Sequence, residues 1–374
     1  MMMKSKIVIV IFLCFLGGVG VLNFFSEDRH FSEQENRILA QMPIFSMERF
    51  LSGEFAEEFE AYITDQFSWK ESWLALKSAA EKVLLKKEHN NVFFAQDDFL
   101  LERFEKPGEQ LQRNIKSMTY FANKAKEIPI SFLLIPTSVE IYQEKLPMYA
   151  QSFSQKQVIT QVKEELPASI QMIDVYDALW ENKNKYLYFR TDHHWTMRGA
   201  YEAYIVTTKA MGLKPYLLDD FAIETVSTSF LGTLYSKANS FGIRPDEIEV
   251  FYPTFPVIYK VAYDEDTSIV HSLYESSYLT KKDQYSFFLN GNHSLVKIQS
   301  SVENGRRLLI IKDSYAHIFI PFLANHFEEI HVVDLRYFHA NLYAYMEEHS
   351  ISESLFLYNV SNFSTDSNMV WLQQ

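Results

Sequence analysis

The chain has 374 residues, 47% hydrophobic and 16% aromatic, with only 11 glycines and 11 prolines; this composition belongs to a folded globular protein and excludes a disordered or low-complexity chain. A formal charge of −13, with no basic stripe to offset it, opposes non-specific attraction to nucleic acid or to an anionic membrane surface. The single cysteine, Cys14, excludes an internal disulfide framework and a CxxC-type zinc site.

Lys4 and Lys6 precede IVIVIFLCFLGGVGVLNFF (7–25), in which Asn23 is the only polar residue. At 1.5 Å per residue this run spans roughly 28 Å, about the thickness of a bilayer's hydrocarbon core. The small-x-small site Gly18-Val19-Gly20 lies inside the apolar run, and Phe12 and Leu13 stand where processing at Cys14 would want small residues; an uncleaved segment is therefore expected. Lysines on the N-terminal side place that end in the cytoplasm. The expectation is a signal-anchor transmembrane helix over 1–25, giving a single-pass protein of the cell membrane with the remainder extracytoplasmic. The alternative is a buried core helix.

Residues 26–90 read as a stalk followed by N-terminal helices, with Phe55, Phe59, Tyr62 and Ile63, then Trp69, Trp73 and Leu76, at helical spacing. From 91 to 374 the pattern is α/β. VFFAQDDFLL (92–101) suggests a hairpin turning at Gln96-Asp97-Asp98. A helix is predicted over 108–127, a strand in ISFLLIP (130–136), a helix over 153–166, a strand in IQMIDVY (170–176), and a helix over 197–212 ending at Gly212. Residues 213–300, richer in Tyr, Ser, Thr and Asn, read as a β-rich insertion. Strand, helix, strand, helix, strand then follow from RRLLIIKDSYAHIF to SLFLYNV, the signature of a doubly wound unit.

Two stretches carry chemistry. In LLIIKDSYAHIF (308–319) an apolar strand runs into a turn at Lys312-Asp313-Ser314 before a helix. Sites in open α/β sheets lie at such carboxyl ends, and a serine there can act as a nucleophile whose own amide helps bind an oxyanion. Alternatively Ser314 or Asp313 caps the helix. In FRTDHHWTMRGA (189–200), Asp192 and His194 alternate in extended chain, so both point one way and can supply the orienting carboxylate and the base of a serine triad. The competing readings are a metal site, drawing on His193, His317 or the Asp264/Asp266 turn as in metal-dependent phosphoesterases, a helix N-cap at Thr191 or Asp192, and a core role for Trp195.

TDHHWTMRGA together with IIKDSYA resembles the bacterial DHHW protein family, which is similar in turn to the AlgX/AlgJ-type, SGNH hydrolase-like polysaccharide O-acetyltransferases. SEQENRILAQMP (32–43), DQF (65–67), IPTSVEIYQEKLP (135–147), FLNGNH (288–293) and VDLRYF (333–338) fit the same resemblance. It implies an SGNH-like doubly wound parallel sheet with a circularly rearranged motif order, since common SGNH hydrolases carry the serine first and the histidine last. It also implies Ser314 as nucleophile, His194 as base and Asp192 as orienter, with His193 and Trp195 as supporting residues of the motif. KDSYA stands where the alginate proteins carry a Gly-Thr-Ser-like turn. The Ser314 amide with Gly291 or Asn292 is expected at the oxyanion, Arg336 at an acceptor or acyl group, and Tyr315 at the pocket wall or in the core. No cofactor or metal is expected. The implied partners are a polysaccharide acceptor and a membrane-bound O-acyltransferase supplying the acetyl group. An acetyl-ester hydrolase of the same fold, a non-catalytic glycan-binding scaffold and a metal-dependent phosphoesterase remain as alternatives.

Overall fold

The computed structural model describes the chain apart from residues 1, 33–36, 71, 74–75, 78–79, 81–85, 239, 241 and 265–267. It resolves into two compact units, residues 1–86 with 239–242, and the remainder from Lys87 onward. The predicted residue Asp266, part of SEQENRILAQMP and much of the helix predicted after Trp69 lie outside the described residues.

In the first unit, helix α1 (Met2–Phe25) covers the predicted anchor. Ile9, Val10, Ile11, Phe12 and Leu13 are all exposed along it. Several of its other side chains are not described, and among the described residues no helix is long and apolar enough to cross a membrane. The transmembrane expectation therefore has no support from the described residues. A helix follows at Glu54–Asp65, where Phe55 and Phe59 stack with centroids 5.7 Å apart.

The second unit is built on a seven-stranded sheet. In chain order its strands are β1 (Ile130–Ile135), β2 (Ile170–Ile173), β3 (Tyr259–Tyr263), β4 (Leu295–Ser300), β5 (Arg307–Lys312), β6 (Glu329–Val333) and β7 (Glu353–Asn359). They lie in the order β3-β4-β6-β5-β7-β1-β2. The five from β6 to β2 are parallel, while β3 and β4 add an antiparallel edge. The sheet is thus mixed, not wholly parallel, and the β-rich stretch 213–300 supplies that edge. Every residue of β1 and β7 is buried, as strands covered on both faces must be, and their apolar runs follow from it.

Counting β5 first turns the parallel set into the order 2-1-3-4-5, that of a flavodoxin-like doubly wound sheet. The rearranged motif order has a concrete form here: the chain enters the sheet at the fourth strand of that scheme and leaves it at the third. The switch point, where crossovers diverge and ligands bind, then falls between β5 and β7.

Helices α2 (Glu109–Lys124), α3 (Gln155–Glu165), α4 (Met197–Ala210), α5 (Ala316–Leu323) and α6 (Leu342–Glu348) follow the predicted spacing, and α7 (Val360–Thr365) was not predicted. The buried Asn114 of α2 donates Nδ2–H to the Phe363 carbonyl of α7 at 2.7 Å. Tyr204 of α4 stacks on Phe322 of α5 at 5.1 Å. A long hairpin, Phe221–Phe230 with Asp246–Pro253, is inserted after α4.

Candidate active site

Ser314 sits in the turn between β5 and α5, at the carboxyl edge of the sheet beside the switch point. Asp313, not Ser314, organises that turn. Its carboxylate accepts from the Tyr315 amide (2.9 Å), the Asn359 amide (2.8 Å) and the side chains of Asn359 (2.6 Å) and Asn362 (3.1 Å). With the turn tied through Asp313, the Ser314 hydroxyl is left for another partner. Its amide N–H has no hydrogen-bond partner among the described residues.

The other half comes from the loop after β2, residues 186–196. An isolated bridge joins Tyr188 to Trp195, so the intervening Asp192 and His194 stand in a tight, re-entrant loop. The buried carboxylate of Asp246, from the inserted hairpin, holds this loop. It accepts from the Arg190 amide (2.9 Å), the Thr191 amide (2.8 Å), the Thr191 hydroxyl (2.6 Å) and the Tyr186 hydroxyl. Trp195 is fully buried, stacks on Phe319 of α5, and donates its indole N–H to the Tyr315 carbonyl at 2.9 Å. It fastens the base loop to the serine turn. The N-cap of α4 is Thr196, whose hydroxyl accepts from the Gly199 amide; the expected caps Thr191 and Asp192 are engaged elsewhere.

The two halves meet in an unbroken relay. His194 Nε2 lies 2.7 Å from Ser314 Oγ, and its Nδ1 lies 2.6 Å from Asp192 Oδ1. Asp192 Oδ2 accepts from the Thr233 amide (2.8 Å) and hydroxyl (2.9 Å). Gly232 permits this approach, because a Cβ there would fall 2.3 Å from Asp192 Cβ and 2.4 Å from Oδ2. Tyr285 lies flat on the His194 ring, 3.6 Å between centroids, and donates its hydroxyl to the Ser314 carbonyl at 2.9 Å.

Charge follows the geometry. Burial alone would raise the Asp192 carboxyl, but the His193 and His194 imidazoles and the Thr233 amide outweigh it and hold the group well below the usual carboxylate range. Burial, and then the neighbouring His193, lower His194 to about 4 against the opposing pull of Asp192. At neutral pH the site therefore pairs a carboxylate with an uncharged imidazole. A bonded carboxylate fixes Nδ1–H and leaves the Nε2 lone pair for a hydroxyl proton.

The other predicted residues divide. Tyr315 is fully buried and its hydroxyl donates to the His193 carbonyl, so it is a core residue beneath the site. Arg336 binds Asp334 through Nε at 2.8 Å and Asn292 Oδ1 at 3.0 Å. Asp334 also takes the ammonium of the buried Lys312 at 2.7 Å. Gly291 does not fit the oxyanion role: φ is +81° and its amide donates to the Phe288 carbonyl, closing a turn. Asn292 accepts from Arg336 through its side-chain oxygen.

Asp192, His193 and His194 bring three potential metal-ligand atoms within 4.8 Å. Those donors are already committed, both Asp192 oxygens and both His194 nitrogens to protein groups, and His193 Nδ1 to Thr233 Oγ1 at 2.6 Å. Of the other residues offered for a metal, Asp264 binds His293 and Ser294, and His317 lies against Lys312. They form no common site with the relay.

Sequence reasoning did not reach Tyr285, Gly232, Thr233 or Asp246. The LGT triplet at 231–233 gave the only available hint, a glycine beside a hydroxyl residue, and it was indistinguishable from any loop.

No curated protein sequence matches this chain. Among solved structures, a DHHW family protein from Eubacterium siraeum is 24% identical, covering 76% of this chain and 96% of its own, with a TM-score of 0.68. PatB1 of Bacillus cereus is 21% identical over 73% of this chain and 97% of its own, with a TM-score of 0.63. The same protein with a sulfonyl adduct is 21% identical over 74% and 98%, with a TM-score of 0.62. These likenesses establish the fold. The DHHW protein family model matches residues 116–333, more than half of the chain and including both Asp192–Trp195 and Ser314; the chain belongs to the DHHW protein family.

Proposed function

We propose that the protein is a serine O-acetyltransferase acting on a cell-surface polysaccharide through an acyl-enzyme. The relay Ser314–His194–Asp192, closed by contacts of 2.7 and 2.6 Å, carries this reading. His194 takes the Ser314 proton as Oγ attacks the acetyl carbonyl, and Asp192 stabilises the imidazolium that forms. The free Ser314 amide faces the developing oxyanion. When the donor's leaving group departs with that proton, the acetyl group remains on Oγ. A sugar hydroxyl then attacks the ester, again losing its proton to His194, and Ser314 is restored. Water as acceptor would make the same residues an esterase.

The protein acts outside the cytoplasm, held by the apolar segment 7–25, a reading carried by the sequence alone. Acetyl-CoA is not available there, so the acetyl group reaches Ser314 from a membrane-bound O-acyltransferase partner. The test uses the full-length protein with p-nitrophenyl acetate and an oligosaccharide acceptor, following acetyl on the Ser314 peptide by mass spectrometry. Acetylated saccharide from the wild type and none from Ser314→Ala supports the reading. Equal product from Ser314→Ala would sink it, and acetate without acetylated saccharide would favour the esterase.

A further inference from the structure

His193 is the member of the motif with no part in the relay above, yet hydrogen-bonding rules determine its state. The Thr233 hydroxyl has one proton, and it goes to Asp192 Oδ2 at 2.9 Å. Its 2.6 Å contact with His193 Nδ1 must therefore be one it accepts, so Nδ1 carries the hydrogen and Nε2 the lone pair. His194 is in the same tautomer for the same reason, through Asp192 Oδ1. One carboxylate thus fixes two imidazoles, His194 directly and His193 through Thr233.

The rings also lie together, 3.8 Å between centroids, with His194 held between His193 and Tyr285. His193 Nδ1 is 3.7 Å from the same Asp192 oxygen that His194 binds. With both Nδ1 atoms turned to Asp192 and Thr233, each Nε2 lies on the far edge of its ring from those partners, in rings that are themselves adjacent. They differ in access: His194 has 5% of its side chain exposed and His193 31%. His194 Nε2 is taken by Ser314, while His193 Nε2 has no protein partner among the described residues.

Resting on the acyl-enzyme reading, we propose that His193 Nε2 binds the acceptor hydroxyl beside the acetylated Ser314 and so sets the choice between sugar and water. The hydroxyl donates to His193 Nε2 as it docks, then rotates its one proton onto His194 Nε2, vacated when Ser314 is acylated, as the oxygen attacks the Ser314 ester. The new acetyl–sugar bond forms as the Oγ–acyl bond breaks, and Ser314 recovers its proton from His194. Acylation needs only His194, so the two half-reactions depend on His193 to different extents.

The experiment loads full-length protein with p-nitrophenyl acetate and measures both the acylation burst and the partition of acetyl between water and added glycerol or monosaccharide. In wild type some acetyl goes to the added hydroxyl. His193→Gln is expected to lower the alcohol-to-water ratio about tenfold or more while the burst rate changes far less. Thr233→Val, which frees the tautomer, lowers the ratio in the same direction by less. An unchanged ratio in His193→Gln, a burst that falls in parallel with the ratio, or a wild-type acyl-enzyme that yields only to water overturns the assignment. A wild-type Ser314 that takes no acetyl group at all removes the serine reading itself, which is a separate result.

Discussion

The serine turn and the histidine loop are both built around a buried carboxylate that moves no proton, but they take their support from different places. Asp313 ties its turn to β7 and α7, the sheet that makes the domain fold at all. Asp246 ties the 186–196 loop to the inserted hairpin, outside the parallel sheet. The nucleophile's position is therefore a property of the core, while the base's position is a property of an addition to it. Damage to the second should cost activity without much cost in folding, and damage to the first should cost both.

The sharpest test severs the point where the two loops meet. Ser314→Ala or His194→Ala should reduce acetyl turnover by about 10⁴-fold or more, and the double variant should lose little beyond either single one, because the residues act as a unit. Steady-state kinetics of the three proteins check this. Next in size, Gly232→Ala places a methyl on Asp192 and should cost roughly 10²-fold in kcat while the denaturation midpoint moves little; wild-type activity would break the claim that this approach sets the base.

The two carboxylates can then be compared directly. Asp246→Ala leaves four donors of the histidine loop without their acceptor and should lower kcat more than tenfold. Asp313→Ala removes a tie between β5 and β7 and should register as a stability loss of about 3 kcal/mol in urea melts. Reversal of that pattern would mean that the hairpin, not the sheet, holds the domain together. The smallest effect is in pH. Protonated His194 cannot accept the serine proton, so kcat/KM should fall as pH drops through about 4 and hold above it. His193→Gln, which takes away the neighbouring imidazole that helps lower His194, should move that limb upward.

Asp313 adds a stability term of its own. Burial raises it to about 6 against its four donors. A carboxyl whose folded value lies above the unfolded one binds its proton more tightly in the folded state. Its contribution to stability is present below about pH 4 and is lost as pH rises through 6, and the ionised form costs roughly 3 kcal/mol. Urea midpoints of wild type and Asp313→Asn should converge at low pH and separate above it.

What the sequence made legible was local. Asp192 and His194 alternate across three residues, and Ser314 follows an apolar strand, so spacing alone carried them. Their meeting across 120 residues was suggested by triad chemistry with a metal site and helix caps as rivals, and the resemblance then implied it. Thr233, Asp246 and Tyr285 reach the site from the inserted region 213–300, whose separation from the motif is free to vary, and no periodicity marks them. The NGN of residues 290–292 suggested an oxyanion contributor, yet an Asn-Gly pair signals a turn first, and the structure uses Gly291 for one. Nothing in the sequence marked Lys312 and Asp334 as partners; they form a buried ion pair.

The strand order has a consequence for how the protein comes into being. β1 and β7, the first and last strands of the sheet in chain order, are neighbours within its interior. A growing chain has the histidine loop in hand long before Ser314 is made, and the central seam cannot close until the last strand emerges. Such long-range pairing slows folding and leaves strand edges open meanwhile. It also delays assembly of the relay: a chain that stops short of β7 and α7 lacks Asn359 and Asn362, the partners that tie Asp313 and so the serine turn.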